Sequence, residues 1–311
     1  MHNLLKRLAC VSAFAVATVG AYAETYSLMI GINDYPDVLG SDGKPAKDKN
    51  GNPIDLDLFG PVNDIKAYKD VMVNRFGVKP DNIKTLLDKQ AGETGFVEGM
   101  KWILGNAKAG DQVVFVYSGH GSQIPDKAEE DGFEEVIVLA DRKLVPGDLF
   151  GEIAKALSTR GVNATFIFDS CYSGGMSRNV FSYEGQTGTL RQRFAPTAVT
   201  KDWTKVADAR VAEFRSVARQ GTASATAGSY AFLMAGSEDQ PTTDLDFKDP
   251  ATEDRGLFSL VLTSVLDKIA DAPIDELMPA IAKVLKDKGF EQKPIFDLSA
   301  ADRGKLPVVL K

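Results

Sequence analysis

Two strand-like runs constrain this chain more than any other feature. The first, Val113-Val114-Phe115-Val116-Tyr117, breaks into Ser118-Gly119-His120-Gly121. The second, Ala164-Thr165-Phe166-Ile167-Phe168, breaks into Asp169-Ser170-Cys171-Tyr172-Ser173-Gly174-Gly175. Unbroken apolar runs of this length suit strands buried on both faces, as in a parallel sheet covered by helices. Open sheets of that type bind ligands beyond the carboxyl ends of their strands. His120 and Cys171 both fall there, one offering an imidazole and the other a thiol, which makes a base and a nucleophile the first functional hypothesis.

The rest of the chain supplies the helices such a sheet needs. Tyr26 to Ile32 reads as a central strand and Ile83 to Leu87 as a second one. Asn63-Asp64 can cap a helix over Ile65–Phe76, and Thr94–Ala107 and Leu149–Leu157 carry apolar residues at helical spacing. Asp37–Leu58, rich in Asp, Lys, Gly and Asn, reads as a surface insertion. Within it Asp48, Asn50 and Asn52 resemble the start of a calcium loop, but Pro53 stands where that loop needs glycine. Ser122–Glu135 reads as a polar loop and Val136–Ala140 as a short strand, one arm of a hairpin. Residues 176–228 read as a polar linker with a helix near Lys205–Val217. Tyr230–Ala235 is then a strand, Gly256–Ile269 and Pro273–Lys286 are helices, and Pro294–Asp297 or Leu306–Leu310 closes the sheet. The pattern predicts an α/β fold: a three-layer α/β/α sandwich with a mostly parallel central sheet.

The N-terminus has a separate logic. Lys6 and Arg7 precede an apolar run from Leu8 to Gly20, and Ala21-Tyr22-Ala23 follows, the layout of a secretory signal peptide cut after Ala23. The run is short for a membrane span. Cleavage would take the formal charge from −7 to −9 and remove His2 and Cys10. His120 and Cys171 would then be the sole histidine and cysteine of a secreted or periplasmic chain, the thiol without an internal disulfide partner. The acidic balance excludes a nucleic-acid footprint. No later segment is apolar enough to stay in a membrane, and a monomer is the favoured state.

Together, Tyr117-Ser118-Gly119-His120-Gly121 and Asp169-Ser170-Cys171-Tyr172-Ser173-Gly174 resemble the caspase-like cysteine peptidases, specifically the type I metacaspases and their bacterial relatives. The separation of 51 residues between His120 and Cys171 fits a caspase-like order. Glu130-Asp131-Gly132-Phe133-Glu134-Glu135, Ala235–Thr242 and Gly256-Leu257-Phe258-Ser259 resemble further family segments, so the likeness runs from about Thr25 to Ala300. The domain plan is then a signal peptide (1–23), a large-subunit region (24–175), a linker (176–228) and a small-subunit-like region (229–311) that completes the same domain. The resemblance implies a caspase-like fold and a cysteine endopeptidase. Cys171 would attack the scissile carbonyl and His120 would protonate the leaving amine. Gly121 and Cys171 amides would form the oxyanion hole.

The resemblance also places Asp64, Ser118 and Asp169 in the first specificity pocket. Two carboxylates there favour Arg or Lys before the cut, so the expected partners are proteins or peptides with basic residues. On residue type alone, Asp64 could instead cap a helix and Asp169 could be a turn acid. The linker offers Arg178, Arg191, Arg193, Lys201, Arg215 and Arg219 as self-cleavage sites. No cofactor is required for this chemistry. Glu129, Glu130 and Asp131 could offer oxygens to an activating calcium, although Arg178 replaces a family calcium-site acid. The alternatives are a gingipain-like or legumain-like peptidase of other specificity, and a catalytically silent binding module in the cell envelope.

Overall fold

The computed structural model describes residues 23–48, 50–171, 180–183, 186–236, 242–268, 274–290 and 292–299. The chain opens with β1 (Thr25–Gly31), α1 (Pro61–Asn74), β2 (Ile83–Leu87), α2 (Glu93–Asn106) and β3 (Gln112–Ser118). Three short strands follow, β4 (Gly121–Pro125), β5 (Phe133–Val138) and β6 (Leu144–Pro146), then α3 (Asp148–Thr159) and β7 (Asn163–Asp169). Next come β8 (Val180–Tyr183), β9 (Gln186–Gln192), α4 (Thr197–Thr200), α5 (Asp208–Arg219) and β10 (Tyr230–Met234). The chain finishes with β11 (Thr243–Phe247), β12 (Arg255–Gly256), α6 (Leu257–Lys268), α7 (Ile274–Asp287) and β13 (Ile295–Leu298).

The central sheet has the order β13-β10-β7-β3-β1-β2. All its pairings are parallel except β10 with β13. Period-two alternation splits each strand between two cores. Leu28, Ile30, Val113, Phe115, Tyr117, Phe166 and Phe168 face one core with residues of α2, α3 and α5. Met29, Val114, Val116, Ile167 and Leu233 face the other, with residues of α1, α6 and α7. This is the mostly parallel, doubly covered sheet expected from the apolar runs.

The differences from expectation lie in polar segments. Half of the residues read as a loop at 122–135 belong to β4 and β5, antiparallel partners, with β6 paired to β5. Hairpin pairing across a polar turn leaves no apolar run to announce it. Helix α1 begins at Pro61 with Gly60 as N-cap and no side-chain cap, so Asp64 lies inside the helix and does not cap it. Proline suits a first helical turn because its missing N–H has no partner there anyway. The segment read as a linker carries β8, β9, α4 and α5, and β9 pairs antiparallel with β11. Of the closing strands considered, Pro294–Asp297 corresponds to β13. Leu306–Leu310, the signal peptide up to Tyr22, Arg178 and the stretch 237–241 lie outside the described residues. Among the described residues no helix is long and apolar enough to cross a membrane.

Candidate active site

Register brings the two strand ends together. Ser118 is the cross-strand partner of Asp169, with Gly31 on its other side. Both share parity with Val116 and Ile167, so they point to the face covered by α1 and α6. Asp64 reaches them from the first turn of α1.

A single guanidinium fills the space among these groups. Arg193, the residue just after β9, is fully buried. Its Nη2 donates to Asp64 Oδ2 at 2.8 Å and to Asp244 Oδ1 at 2.7 Å. Its Nη1 donates to Ser118 Oγ at 2.5 Å and lies 3.3 Å from Asp169 Oδ2. Burial opposes a charged guanidinium, but the Asp169, Asp64 and Asp244 carboxylates outweigh it and hold Arg193 well above its ordinary value. The pocket wall is itself braced. Ser118 Oγ donates to Asp64 Oδ2 at 2.8 Å, and Arg255 Nε donates to Asp64 Oδ1 at 2.7 Å. Asp169 Oδ2 accepts from the Ser259 amide and hydroxyl at 2.9 and 2.6 Å, in the first turn of α6. The acid thus lines the pocket and also satisfies a helix N-terminus. At Gly256 a Cβ would stand 2.3 Å from Asp169 Oδ2 and 2.6 Å from the Arg193 guanidinium carbon, so a side chain there would close the pocket.

The backbone of Arg193 is held as firmly as its side chain. Its carbonyl accepts from the Gly121 amide at 2.9 Å and the Cys171 amide at 3.1 Å, the two donors expected to form the oxyanion hole. Its amide donates to the Thr242 carbonyl at 3.3 Å. Beyond it, Phe194 bridges to Gly121, and the Ala195 amide donates to the Gly121 carbonyl at 2.9 Å. The chain therefore crosses the two strand ends with one carbonyl on both amides. Tetrahedral intermediates of acyl transfer are stabilised by donors in that arrangement.

The thiol and the imidazole are both buried and both neutral in this state. Cys171 is 1% exposed, and its sulfur accepts from the Thr242 amide. Burial pushes its pKa up to about 11. Burial likewise pushes His120 down to about 4, against the pull of the Leu56 and Arg193 carbonyls. His120 Nε2 lies 2.6 Å from the Leu56 carbonyl, which can only accept, so Nε2 carries the proton and Nδ1 holds the lone pair of the neutral ring. Tyr35 packs on the imidazole at 4.8 Å between ring centres, and its hydroxyl accepts from the His120 amide at 3.0 Å. Tyr117 O–H donates to the His120 carbonyl at 2.7 Å. Leu56 belongs to the segment read as a surface insertion. Leu56 and Leu58 are instead buried, and the end of that segment fixes the histidine tautomer.

Of the residues named from sequence, His120, Gly121, Cys171, Asp64, Ser118 and Asp169 all converge with Arg193. Arg191 lies two residues away on the same strand, 2.9 Å from Asp55. Arg215 pairs with Glu152 on the surface, while Lys201 and Arg219 are exposed. Among the described residues Glu130 and Asp131 belong to no converging group of metal-ligating side chains. Among the described residues the carboxylates that do converge, within 4.8 Å, belong to Glu129, Glu134 and Asp148. The residue that sequence reasoning missed is Asp244, fully buried on β11. Burial raises its carboxyl to about 6 despite Arg193 beside it. Its one sequence signal is an acid within a short alternating strand, which is weak.

With this geometry in place, comparison with known proteins bears on the family. Residues 27–178 match the metacaspase, peptidase C14 domain. That match supports a caspase-like protein of the metacaspase family. Metacaspase-1A of Aspergillus oryzae is 27% identical over 76% of this chain and 62% of its own length. Metacaspase-7 of Arabidopsis thaliana is 32% identical over 43% of this chain and 35% of its own. The chain thus spans between about a third and under two thirds of these relatives. A crystal structure of a Geobacter sulfurreducens protein shares the fold, with a TM-score of 0.58 and 20% identity over 91% of this chain and 97% of that one.

Proposed function

We propose that this metacaspase is a cysteine endopeptidase that cuts after Arg or Lys and whose first substrate is its own Arg193–Phe194 bond. The observation that carries the reading is Arg193 itself, with its guanidinium among three carboxylates and its carbonyl on the Gly121 and Cys171 amides. Cys171 Sγ attacks the carbonyl carbon, the oxyanion takes the two amides, and the Arg193–Phe194 C–N bond breaks as Phe194 nitrogen receives a proton carried by His120 Nδ1. Water then cleaves the thioester, with His120 as base, and restores the thiol. The acids do not take part in bond making. They select a cation: three carboxylates against the single charge of Arg255 leave a net negative pocket once Arg193 departs.

Until the bond is cut, Arg193 is an internal competitor at high effective concentration. The elevated Cys171 pKa and depressed His120 pKa describe a resting pair in which both groups are neutral, so the thiol proton passes to His120 Nδ1 as Sγ attacks. The chemistry draws on no cofactor. The layout of residues 1–23 supports export to the periplasm or beyond, on protein or peptide substrates.

The test is to incubate the chain from Glu24 with Arg-, Lys- and Asp-terminated fluorogenic peptides, beside Cys171→Ala, and to follow intact mass. We expect turnover after Arg and Lys, none after Asp, none with Cys171→Ala, and a new terminus at Phe194. Cleavage only after Asp would overturn the pocket assignment. Equal turnover by the variant, or none by either, would leave a silent module as the better reading.

A further inference from the structure

A cut after Arg193 leaves the far side of the broken bond anchored. Gly121 and Phe194 form a parallel bridge across that bond. One half of the bridge is the Gly121 amide donating to the Arg193 carbonyl, before the cut. The other half is the Ala195 amide donating to the Gly121 carbonyl at 2.9 Å, after it. Cleavage removes the first contact and keeps the second.

The segment that follows is held at several further points. Ala195 is fully buried, and its carbonyl accepts from Ser122 Oγ at 2.7 Å. Ser122 Oγ also lies 2.9 Å from Thr200 Oγ1 in α4, and Thr200 is buried as well. The Arg142 guanidinium sits 5.8 Å from the Trp203 ring centre. The Leu144 amide donates to the Thr204 carbonyl at 3.1 Å, and the Val206 amide donates to the Leu144 carbonyl at 2.9 Å. Residues 195–206 are therefore fastened to β4 and β6, two strands of the three-stranded sheet. β9, which leads to Arg193, belongs to a different sheet with β11. Neither side needs the peptide bond to stay where it is.

The leaving group of the self-cut thus cannot diffuse away. The new α-amine of Phe194 remains one residue from buried Ala195, at the place from which it was expelled. An amine held against a thioester has an effective concentration far above that of a free amine in solution.

We propose that the self-cut enzyme is also a peptide acyl-transferase, which passes an Arg-ending acyl group from Cys171 to the α-amine of Phe194. This rests on the peptidase reading above. Once the Arg193 end withdraws, a peptide ending in an Arg amide acylates Cys171 and releases its own amine. The neutral Phe194 nitrogen then attacks the thioester carbonyl. A C–N bond forms, the C–Sγ bond breaks, and the amine proton passes through His120 Nδ1 to the sulfur. The product recreates an Arg–Phe bond in the site, so the enzyme cuts it again and the adduct is a species of the steady state.

The experiment gives self-cut enzyme the coumarin amide of acetyl-Gly-Gly-Arg, quenches in acid during the first turnovers, and reads coumarin release beside the mass of the Phe194–Lys311 fragment. We expect that fragment to gain one acetyl-Gly-Gly-Arg group, placed on the Phe194 nitrogen by tandem mass spectrometry. Adduct per coumarin released should rise about 10-fold or more from pH 6 to pH 8, as an α-amine of ordinary pKa loses its proton. Ser122→Ala, which frees the Ala195 carbonyl, should keep coumarin release and lower that ratio about 2- to 10-fold. Coumarin release with only the free acid, with an adduct at another residue, or with an unchanged ratio in Ser122→Ala overturns the transfer and leaves the peptidase reading intact. Absence of coumarin release by wild type overturns both.

Discussion

Asp244 reaches the pocket from β11, a strand with no resemblance-bearing motif. Its carboxylate accepts from Arg193 Nη2 at 2.7 Å and from the Phe59 amide, also at 2.7 Å. Asparagine would keep the amide contact and lose the charge. A hydrogen bond to a charged group is worth about 1.5–3 kcal/mol, so Asp244→Asn should lower kcat/KM for an Arg peptide by about 10- to 100-fold. Steady-state kinetics check this, and an unchanged value would remove Asp244 from specificity. His120 gives a pH prediction. Its folded value of about 4 lies below the ordinary 6.5, so between these values the unfolded chain binds the extra proton. Stability from the neutral ring is therefore complete above about pH 6.5 and lost as pH falls toward 4. Asp244, raised to about 6, acts the opposite way in an overlapping window, because there the folded state holds the proton. Urea unfolding at pH 7 and 4.5 should show wild type losing about 2–3 kcal/mol more than His120→Gln. The difference between the two proteins isolates the imidazole from Asp244.

At the scale of elements, apolar periodicity made β1, β3, β7, α2 and α3 legible, because each has an unbroken run or a clear face. Phe115, Phe150, Phe166 and Phe168 show the consequence: Phe150 of α3 lies 5.1, 6.1 and 5.0 Å from the other three rings, between centres. Phe150→Ala should cost about 3–5 kcal/mol by loss of burial and an unfilled cavity, read as a lower urea midpoint with an unchanged slope. β4 and β9 were illegible for the converse reason, and of β5 only the apolar end from Val136 was read. Their polar stretches are defined by a partner strand instead of their own pattern. β9 in particular pairs with β11 across some fifty intervening residues, a contact no local window can reveal.

At the scale of the molecule, a cut after Arg193 does not divide the core. β10, from the second fragment, sits inside the sheet, paired with β7 of the first fragment on one side and with β13 on the other. Leu233, Val261 and Leu262 share a buried cluster with Met29 and Ile167. The two pieces should therefore elute as one species in size-exclusion chromatography and separate only in denaturant. Separation under native conditions would contradict this packing. The sequence by itself determined the apolar strands and helix faces, hence the doubly covered sheet. It also singled out His120 and Cys171, because they are rare residue types at the ends of buried runs. Only the tertiary structure decided which of the five described basic residues enters the site, that Asp244 joins Asp64 and Asp169 there, and that Leu56 fixes the imidazole. Local periodicity records which side chains are buried. Meetings of charges depend on cross-strand register and on distant segments returning to one sheet edge, which exist only once the chain has folded.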